Sequence, residues 1–478
     1  MICRFAPGVV WLWLLSTSAF ASDITVHGFV TVVNSPTSFQ IDDYKVTRDK
    51  SVLLELEPQH GGISLATFRP EDIRTGTELE ITGAYDENSG ELKASSIKVF
   101  SYDTLTVKRT ALLEKLPSLT KSDAGWNGVI YADGQKITVS PATAITLKPN
   151  QAERRNAAQH DAPEALTFVP DSLNLDTFVH YEGVRESDGS IKAQKAEFEH
   201  AEVDEREVRM WSRFAPKVIL PDYANHQPGE LETYRKEYKI LPSQEAQQYI
   251  SRLGNSLIPA HQKELSDNNP LKIPFQFFLV EQEGFNALTY PNGVVIVYSG
   301  VFDVLENEAQ LAFALSHEIS HLVERHAWQQ DQHFRDELIA LRARGVFVPD
   351  RILLANLRAS GFSSQYVQTL ENQADRVGLE WMLTAGYDVR EAPQSWKAVA
   401  RKMRDSTSNP FWSSRENYTA RRSYLMSELR NNYSNADYST LKKDSDQFHR
   451  VVDIVKGFGN GKIQKPAVAA KEAVTPPH

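Results

Sequence analysis

The chain has 478 residues, of which 41% are hydrophobic and 10% aromatic, and its formal net charge at pH 7 is -10. This length is too great for one ordinary domain, and the apolar content is high enough for packed cores, which excludes wholesale disorder. A general nucleic-acid-binding protein would need a basic face, so the acidic balance argues against that class. We therefore expect a multidomain globular protein that does not bind nucleic acid.

Residues 1–21 are typical of a secretory signal peptide. Arg4 supplies a short positive region, Val9–Leu15 an apolar core, and Ala19-Phe20-Ala21 a cleavage site with small residues. The apolar run is too short to span a bilayer comfortably, so we expect cleavage after Ala21. No later segment reaches the roughly 18 apolar residues of a spanning helix. The prediction is an exported chain without a transmembrane segment, for which peripheral membrane contact stays open.

The location follows from this signal. We expect a periplasmic protein if the source is a double-membrane bacterium, and a secreted protein otherwise. The only cysteine, Cys3, lies inside the signal, so the mature chain can form no disulfide and has no cysteine nucleophile. Any metal site must therefore use His, Asp and Glu.

An internal repeat occupies the first half of the chain. Glu78–Gly83 and Phe178–Gly183 are each followed by a turn and a second alternating segment, Leu92–Val99 in one copy and Ile191–Phe198 in the other. Alternation of apolar and polar residues predicts half-buried antiparallel strands. We predict two small β-modules that resemble OB-like β-barrels. Their role is open between binding a ligand or partner and shielding an enzyme.

The rest of the chain is predicted to be mainly helical (α+β). Strands are expected at Phe275–Val280 and Val294–Tyr298, and two long helices at 306–343 and 364–385. The full predicted order is a signal peptide (1–21), two β-modules (22–108 and 122–204), a charged connector (205–242), the main domain (243–440) and a C-terminal tail (441–478) whose end, from Lys462, is expected to be disordered.

An HExxH motif, His317-Glu318-Ile319-Ser320-His321, lies on the first of the two long helices. Residues four apart share a helical face, so both imidazoles can reach one metal ion while Glu318 reaches a water molecule on it. Apolar residues such as Leu311 and Leu315 gather on nearly the opposite face. This pattern favours metal ligation over histidines buried in a core or exposed on a surface.

The second long helix offers the third ligand in Glu371-Asn372-Gln373-Ala374-Asp375. Glu371 and Asp375 share a face, so one can bind the metal while the other accepts a hydrogen bond from a liganding imidazole. We predict Glu371 as the ligand and Asp375 as the outer partner. His326 is the next histidine, but on a continuing helix it would lie about 180° from His317, so we predict a structural role for it.

Together these motifs resemble the zinc metallopeptidase family of the HtpX and CAAX prenyl endopeptidase type, in its soluble periplasmic, BepA-like branch. The resemblance covers residues 230–436 and rests on the HExxH motif, on Glu371–Gly378, and on Asn286-Ala287 with Tyr290-Pro291-Asn292-Gly293. It implies one Zn²⁺ per chain and protein or peptide substrates. It also implies that Asn286 and Ala287 lead into an edge strand that contacts the substrate.

One family feature is absent from the sequence. Members often carry a His-Pro pair and then an arginine after the third ligand, but Trp412–Glu416 contains no histidine. The residue that contacts the transition state or the substrate from this region therefore stays open among Arg415, Tyr418 and Arg422.

The predicted function is a zinc metalloendopeptidase that acts in quality control of exported or misfolded envelope proteins, with Glu318 as general base. The alternative is a chaperone-like or adaptor protein with an inactive peptidase domain, although a decayed site would normally have lost one of these residues. An extended substrate is expected to add to Val294–Tyr298. The segment 327–362 is expected to restrict access to the cleft.

Overall fold

The computed structural model describes ten stretches of the chain. They are residues 22–41, 44–56, 68–101, 106–150, 168–186, 188–203, 205–234, 236–345, 362–404 and 415–459. The predicted signal peptide and the predicted disordered end lie outside them. The chain divides into two compact units, Met1–Tyr102 and Asp103–His478.

The first unit is a six-stranded sheet that closes on itself. Its strands are β1 (Ser22–Ser35), β2 (Ser38–Ile41), β3 (Tyr44–Arg48), β4 (Leu54–Leu56), β5 (Glu78–Asp86) and β6 (Glu91–Ser101). The order β3-β2-β1-β5-β6, with β3 also pairing with β6, gives a circuit of five strands, and β4 joins β6. The alternating apolar residues of the predicted repeat, among them Leu79, Ile81 and Leu92, fill its interior.

The second unit begins with a sheet of the same connectivity. Its strands are β7 (Thr106–Ser122), β8 (Gly125–Ala132), β9 (Gln135–Val139), β10 (Ala144–Lys148), β11 (Thr177–Arg185) and β12 (Ile191–His200). The predicted start of this module, residue 122, leaves out β7. The consecutive residues Ala111, Leu112 and Leu113 are all buried, which hides the alternation expected of a strand. Leu112 packs in the core of the mainly helical C-terminal domain, whereas its two neighbours pack inside the module.

Both modules contain parallel as well as antiparallel pairs. Strands β3 and β6 are parallel, as are β9 and β12, and these pairs complete the two circuits. The prediction of β-modules ahead of a mainly helical domain is confirmed, but the purely antiparallel arrangement is wrong. Closure requires this pairing because the strands that meet run in the same direction. The assignment to the OB-like class stays a prediction.

The C-terminal domain combines nine helices of the described residues with a third sheet. The helices are α1 (Glu205–Arg213), α2 (Gln244–Leu257), α3 (Ala260–Glu264), α4 (Glu308–Val323), α5 (His326–Ala343), α6 (Phe362–Thr384), α7 (Glu391–Arg404), α8 (Arg415–Asn432) and α9 (Asp446–Gly459). The strands are β13 (Lys217–Ile219), β14 (Gly229–Thr233), β15 (Lys236–Ile240), β16 (Gln276–Val280), β17 (Ala287–Tyr290) and β18 (Val294–Tyr298). Among the described residues, no helix has the length and apolar character needed to cross a membrane.

The segments predicted as connector and tail both contain regular secondary structure. The predicted connector 205–242 contains α1 and three strands, and β15 pairs with β16, so the connector continues the domain's own sheet. The predicted tail 441–478 contains α9, whose Phe448 and Val451 are buried in the main core. In both segments the long-range partners, rather than the local composition, decide the structure.

The predicted helix 306–343 is two helices. Arg325 adopts a left-handed conformation with a φ of 56°, which ends the course of α4 and starts α5 in a new direction. The predicted helix 364–385 corresponds to α6. Of the proposed lid 327–362, the first part forms α5, and residues 346–361 lie outside the described stretches.

The second β-module is anchored to α6 by a hairpin turn. Asp133 and Gly134 both have positive φ, as expected for an Asp-Gly pair in a type I′ turn between β8 and β9. The Asp133 carboxylate accepts hydrogen bonds from Arg376 at 2.5 Å, Tyr181 at 2.7 Å and Arg109 at 3.1 Å. A Cβ on Gly134 would lie 2.8 Å from the Cβ of Arg376, so the turn needs glycine to approach the helix.

Glu114 on β7 lies in the same interface and makes the stability depend on pH. Its carboxylate accepts a hydrogen bond from the Gly134 N–H, but burial, with Glu380 and Asp133 nearby, raises its pKa to about 8. Between pH 4.5, the ordinary pKa of a glutamate, and pH 8, Glu114 therefore keeps its proton in the folded protein but has lost it in the unfolded chain. Glu114 consequently destabilises the fold progressively as the pH rises from 4.5 to 8.

The variant Glu114→Gln tests this dependence. The melting temperature of the variant minus that of the parent protein should increase as the pH rises from 5 to 8, because the glutamine has no proton to lose. Thermal unfolding of both proteins in excess chelator, which removes pH-dependent metal binding, measures the difference. Glu230→Gln, which changes an exposed carboxylate, should show no such trend. A difference that stays constant with pH would contradict the role of Glu114.

Candidate metal centre

Two packed helices bring the predicted ligands together. The Asn307 side chain accepts a hydrogen bond from the Gln310 N–H and so caps the start of α4. Helix α6 lies against α4. A Cβ at Gly378 would lie only 3.2 Å from the backbone nitrogen of His317. This glycine therefore allows the two helices to approach closely at the turn that carries His317.

His317, His321 and Glu371 direct three ligand atoms to one point. The two Nε2 atoms are 3.1 Å apart, and the nearest Glu371 oxygens lie 3.4 Å from that of His317 and 3.5 Å from that of His321. Within the described stretches this is the one cluster of three or more such side chains that could hold a metal ion.

The ligand types fit zinc, and the spacing of these groups is close to that of a zinc site. Zinc binds imidazole nitrogen and carboxylate oxygen at about 2.0–2.2 Å in tetrahedral sites, so neighbouring ligand atoms lie about 3.3–3.6 Å apart. The His317 side chain is buried, whereas those of His321 and Glu371 are 16% and 22% exposed. The triangle is therefore accessible from one side, where a water molecule or a substrate oxygen could enter.

Asp375 and Arg421 make hydrogen bonds that position the predicted ligands His317 and Glu371. Asp375 Oδ1 lies 3.0 Å from His317 Nδ1, so this N–H donates to the carboxylate and leaves Nε2 for a metal. Arg421, on α8, donates to Asp375 from Nε at 2.8 Å and Nη2 at 2.6 Å, and to Glu371 from Nη1 at 3.1 Å. Its guanidinium lies 3.8 Å from the ring centre of Trp396. One buried cation thus ties two carboxylates together.

Burial sets most of the protonation states. It lowers the pKa of His321 to about 3 and raises the pKa of Glu318 to about 7. Burial also opposes a charged His317, but hydrogen bonds with Asp375 and Glu371 outweigh it and raise its pKa to about 9. In the metal-free protein His317 is therefore a cation at neutral pH, and a metal ion binding at Nε2 would displace its proton.

His326 lies beside His321, contrary to expectation. Their Nδ1 atoms are 2.8 Å apart, which puts His326 at the ring nitrogen opposite to the one in the triangle. The prediction that His326 faces away assumed a continuing helix, and the left-handed Arg325 removes that premise. His326 is not a member of the metal-binding cluster.

The residues predicted to contact a substrate are divided between two elements. Asn286 and Ala287 lie at the start of β17, which packs against α4, and the Asn286 carbonyl accepts a hydrogen bond from the Tyr298 N–H at 3.0 Å. The predicted docking strand Val294–Tyr298 is β18, which is buried and paired on both sides, with β16 and β17. It has no open edge, so that expectation is wrong. The edge strand is β17.

The residues of α8 that were predicted to contact the transition state or the substrate do not include the arginine that contacts the predicted ligands. Tyr418 and Arg422 are buried on α8, and Tyr418 stacks on Trp396 with a centroid distance of 5.7 Å. The side chain of Arg415, and residues 412–414, lie outside the described part of the chain. Arg421 makes the contacts instead. Its spacing of three from Tyr418 and four from Leu425, both buried, is the signal that could have indicated an inward position.

Comparisons with known proteins relate this domain to a known family. A family model described as Peptidase family M48 matches residues 244–427. This part of the chain is therefore similar to the members of that family. The family and the His-His-Glu cluster together imply a metal cofactor.

The chain is also similar to individual proteases. It is 30% identical to the Beta-barrel assembly-enhancing protease of Yersinia pestis over an alignment of 169 residues. This alignment covers 33% of each chain. With the protein of that name from Escherichia coli (strain K12) it shares 31% over 176 residues, 34% of each chain. The Metalloendopeptidase OMA1, mitochondrial, of Bos taurus is 33% identical over 132 residues, 25% of each chain. The similarity thus spans about a third or less of these relatives.

Metal binding is expected to depend on Glu371. Glu371→Gln keeps the size of the side chain but removes the charged oxygen, so zinc affinity should fall by more than the roughly 10–100-fold that loss of an outer hydrogen-bond partner costs. Zinc content after dialysis and competition with a chelator measure the change. Gln368→Ala, on the same helix, should bind zinc like the parent protein. Equal affinity of Glu371→Gln and the parent would remove Glu371 from the ligand set.

Proposed function

We propose that the chain is a zinc-dependent metalloendopeptidase, with one zinc ion held by His317, His321 and Glu371. The observation that carries this proposal is the cluster of His317, His321 and Glu371, in which the two Nε2 atoms are 3.1 Å apart and each lies within 3.5 Å of a Glu371 oxygen. The cluster is open on one side and adjacent in sequence to the buried Glu318. Similarity to the M48 peptidase family supports the hydrolysis of peptide bonds as the reaction.

Glu318 is the general base in this proposal. A zinc ion bound in the triangle would acidify a water molecule and polarise the scissile carbonyl. Glu318 accepts the proton of the attacking water and then delivers it to the leaving amine. In the metal-free protein burial raises the pKa of Glu318 to about 7, so this carboxyl can bind and release a proton near neutral pH. Asp375 keeps the proton of His317 on Nδ1, away from the zinc-binding nitrogen.

Glu318→Gln tests this role. Cleavage of casein should fall by about 10²–10⁴-fold, the usual contribution of general acid–base catalysis, while one zinc per chain is retained. A chelator should abolish the activity of the parent protein, and Glu264→Gln, on an exposed part of α3, should leave it unchanged. Undiminished cleavage by Glu318→Gln would contradict the mechanism. Binding of unfolded casein without cleavage by the parent protein would favour the chaperone-like or adaptor alternative.

An extended substrate would bind along β17. The carbonyls of Asn286 and Tyr290 accept hydrogen bonds from the β18 side, from Tyr298 and Gly293. Because inward and outward groups alternate along an edge strand, Leu288 also directs its backbone groups toward β18, whereas Ala287 and Thr289 direct theirs outward. Addition of a peptide strand there supports an endopeptidase, since recognition by main-chain hydrogen bonds needs no free terminus.

Thr289→Pro tests substrate binding at this edge. Proline removes the outward N–H and is tolerated in edge strands, so kcat/KM should fall by about 2–10-fold, as expected for one hydrogen bond worth about 0.5–1.5 kcal/mol. Thr289→Val keeps the N–H and should retain the parent kcat/KM. Steady-state kinetics on a peptide substrate compare the three proteins. Equal values for the proline and valine variants would exclude this binding mode.

We further propose that the natural substrates are exported or misfolded envelope proteins and that the protein works in the periplasm. The names of the bacterial relatives, which describe proteases that enhance β-barrel assembly, support this assignment. The amino-terminal pattern of the sequence is in keeping with export.

A further inference from the structure

A chain of hydrogen bonds links the second β-module to His321. His321 Nδ1 and His326 Nδ1 are 2.8 Å apart, and His326 Nε2 lies 3.2 Å from Gln373 Oε1. The Gln373 amide nitrogen in turn donates to the backbone carbonyl of Thr110, on β7, at 3.2 Å. It also donates to Glu324 Oε2 at 3.3 Å. Two side chains, Gln373 and His326, thus connect a strand of the module to a side chain of the metal triangle.

The Thr110 carbonyl determines which group donates and which accepts in every hydrogen bond of this series. The Thr110 carbonyl can only accept, so the Gln373 amide must turn its nitrogen toward β7 and its oxygen toward His326. That oxygen can only accept, so His326 donates from Nε2. Nδ1 of His326 is then the acceptor for His321, whose proton must sit on Nδ1. The Nε2 lone pair of His321 is consequently left pointing into the triangle.

The turn that presents His326 is held by the same neighbours. Glu324 Oε2 accepts a hydrogen bond from the Leu112 N–H, again on β7, at 2.9 Å. Arg325 donates to Glu207 on α1 at 3.0 Å and to the Glu202 carbonyl at 2.7 Å. The left-handed backbone at Arg325 is an unfavourable conformation for a residue with a side chain, and these contacts hold it in place.

We propose that the second β-module is part of the metal centre, in which the Thr110 carbonyl, Gln373 and His326 orient the His321 imidazole for zinc. His326 and Gln373 are positioning residues, since they act through His321 and do not contact the metal. This inference rests on the proposed zinc site. It assigns to the module a role in forming the site, beyond that of a spacer or a shield.

The test compares zinc affinity in variants of the full mature chain. His326→Phe fills the same space without an acceptor for the His321 N–H, and His326→Gln can still accept from His321 and donate to Gln373. Gln135→Ala is the matched control, because Gln135 lies in the same module–domain interface and bonds Glu428 at 2.8 Å but does not lead to a ligand. Competition with a chelator gives the zinc dissociation constants, and Co²⁺ substitution gives a spectrum of the ligand geometry.

His326→Phe should bind zinc about 10–100-fold more weakly and shift the Co²⁺ absorption bands, while His326→Gln should stay close to the parent protein. Gln135→Ala should lower the melting temperature without changing either readout. If His326→Phe does not fold, Gln373→Met interrupts the same chain and should give the same losses.

A zinc affinity in His326→Phe equal to that of the parent protein would overturn the inference. Where His326→Phe does not fold, the same result in Gln373→Met would do so. An equal loss of zinc affinity in Gln135→Ala would also overturn it, because it would indicate general destabilisation. If the parent protein itself binds no zinc, the proposed function fails first, so the two failures are distinguishable.

Discussion

The site depends on the close contact between α4 and α6 at Gly378 and His317. A side chain at position 378 would hold the helices apart, because its Cβ would lie 3.2 Å from the His317 nitrogen and 3.4 Å from its Cα. The two histidines are brought together by helical spacing within α4, but Glu371 comes from another helix. Its distances of 3.4 and 3.5 Å to the imidazoles therefore rest on the packing of the two helices and on the hydrogen bond from Arg421.

The sequence predicts those parts of the site that obey local rules. Spacing by four residues puts His317 with His321, and Glu371 with Asp375, on single faces, and these pairs lie together as expected. The positions of Arg421 and His326 depend on long-range contacts. Arg421 comes from α8, fifty residues after Glu371 in sequence. His326 is turned by one left-handed residue whose conformation is held by partners more than a hundred residues away.

The same distinction explains the fold. The repeated alternation in β5 and β11 predicts strands because each buries one face in its own module. Strand β7 lacks this alternation of apolar and polar residues because Leu112 packs in the core of the neighbouring domain while Ala111 and Leu113 face the module. The structure of residues 205–242 and of α9 likewise depends on contacts with a sheet and a core whose other members are distant in sequence. Burial on two sides removes the periodicity that a single buried face produces.

Arg421 has a consequence for the metal-free protein. The carboxylates of Glu371 and Asp375, which would otherwise repel each other, share this guanidinium inside the protein. The negative charge needed to attract a divalent cation is thereby compensated before the cation arrives. The apoprotein can complete its folding with the ligands already assembled, and the later arrival of the ion requires little reorganisation and little loss of side-chain entropy.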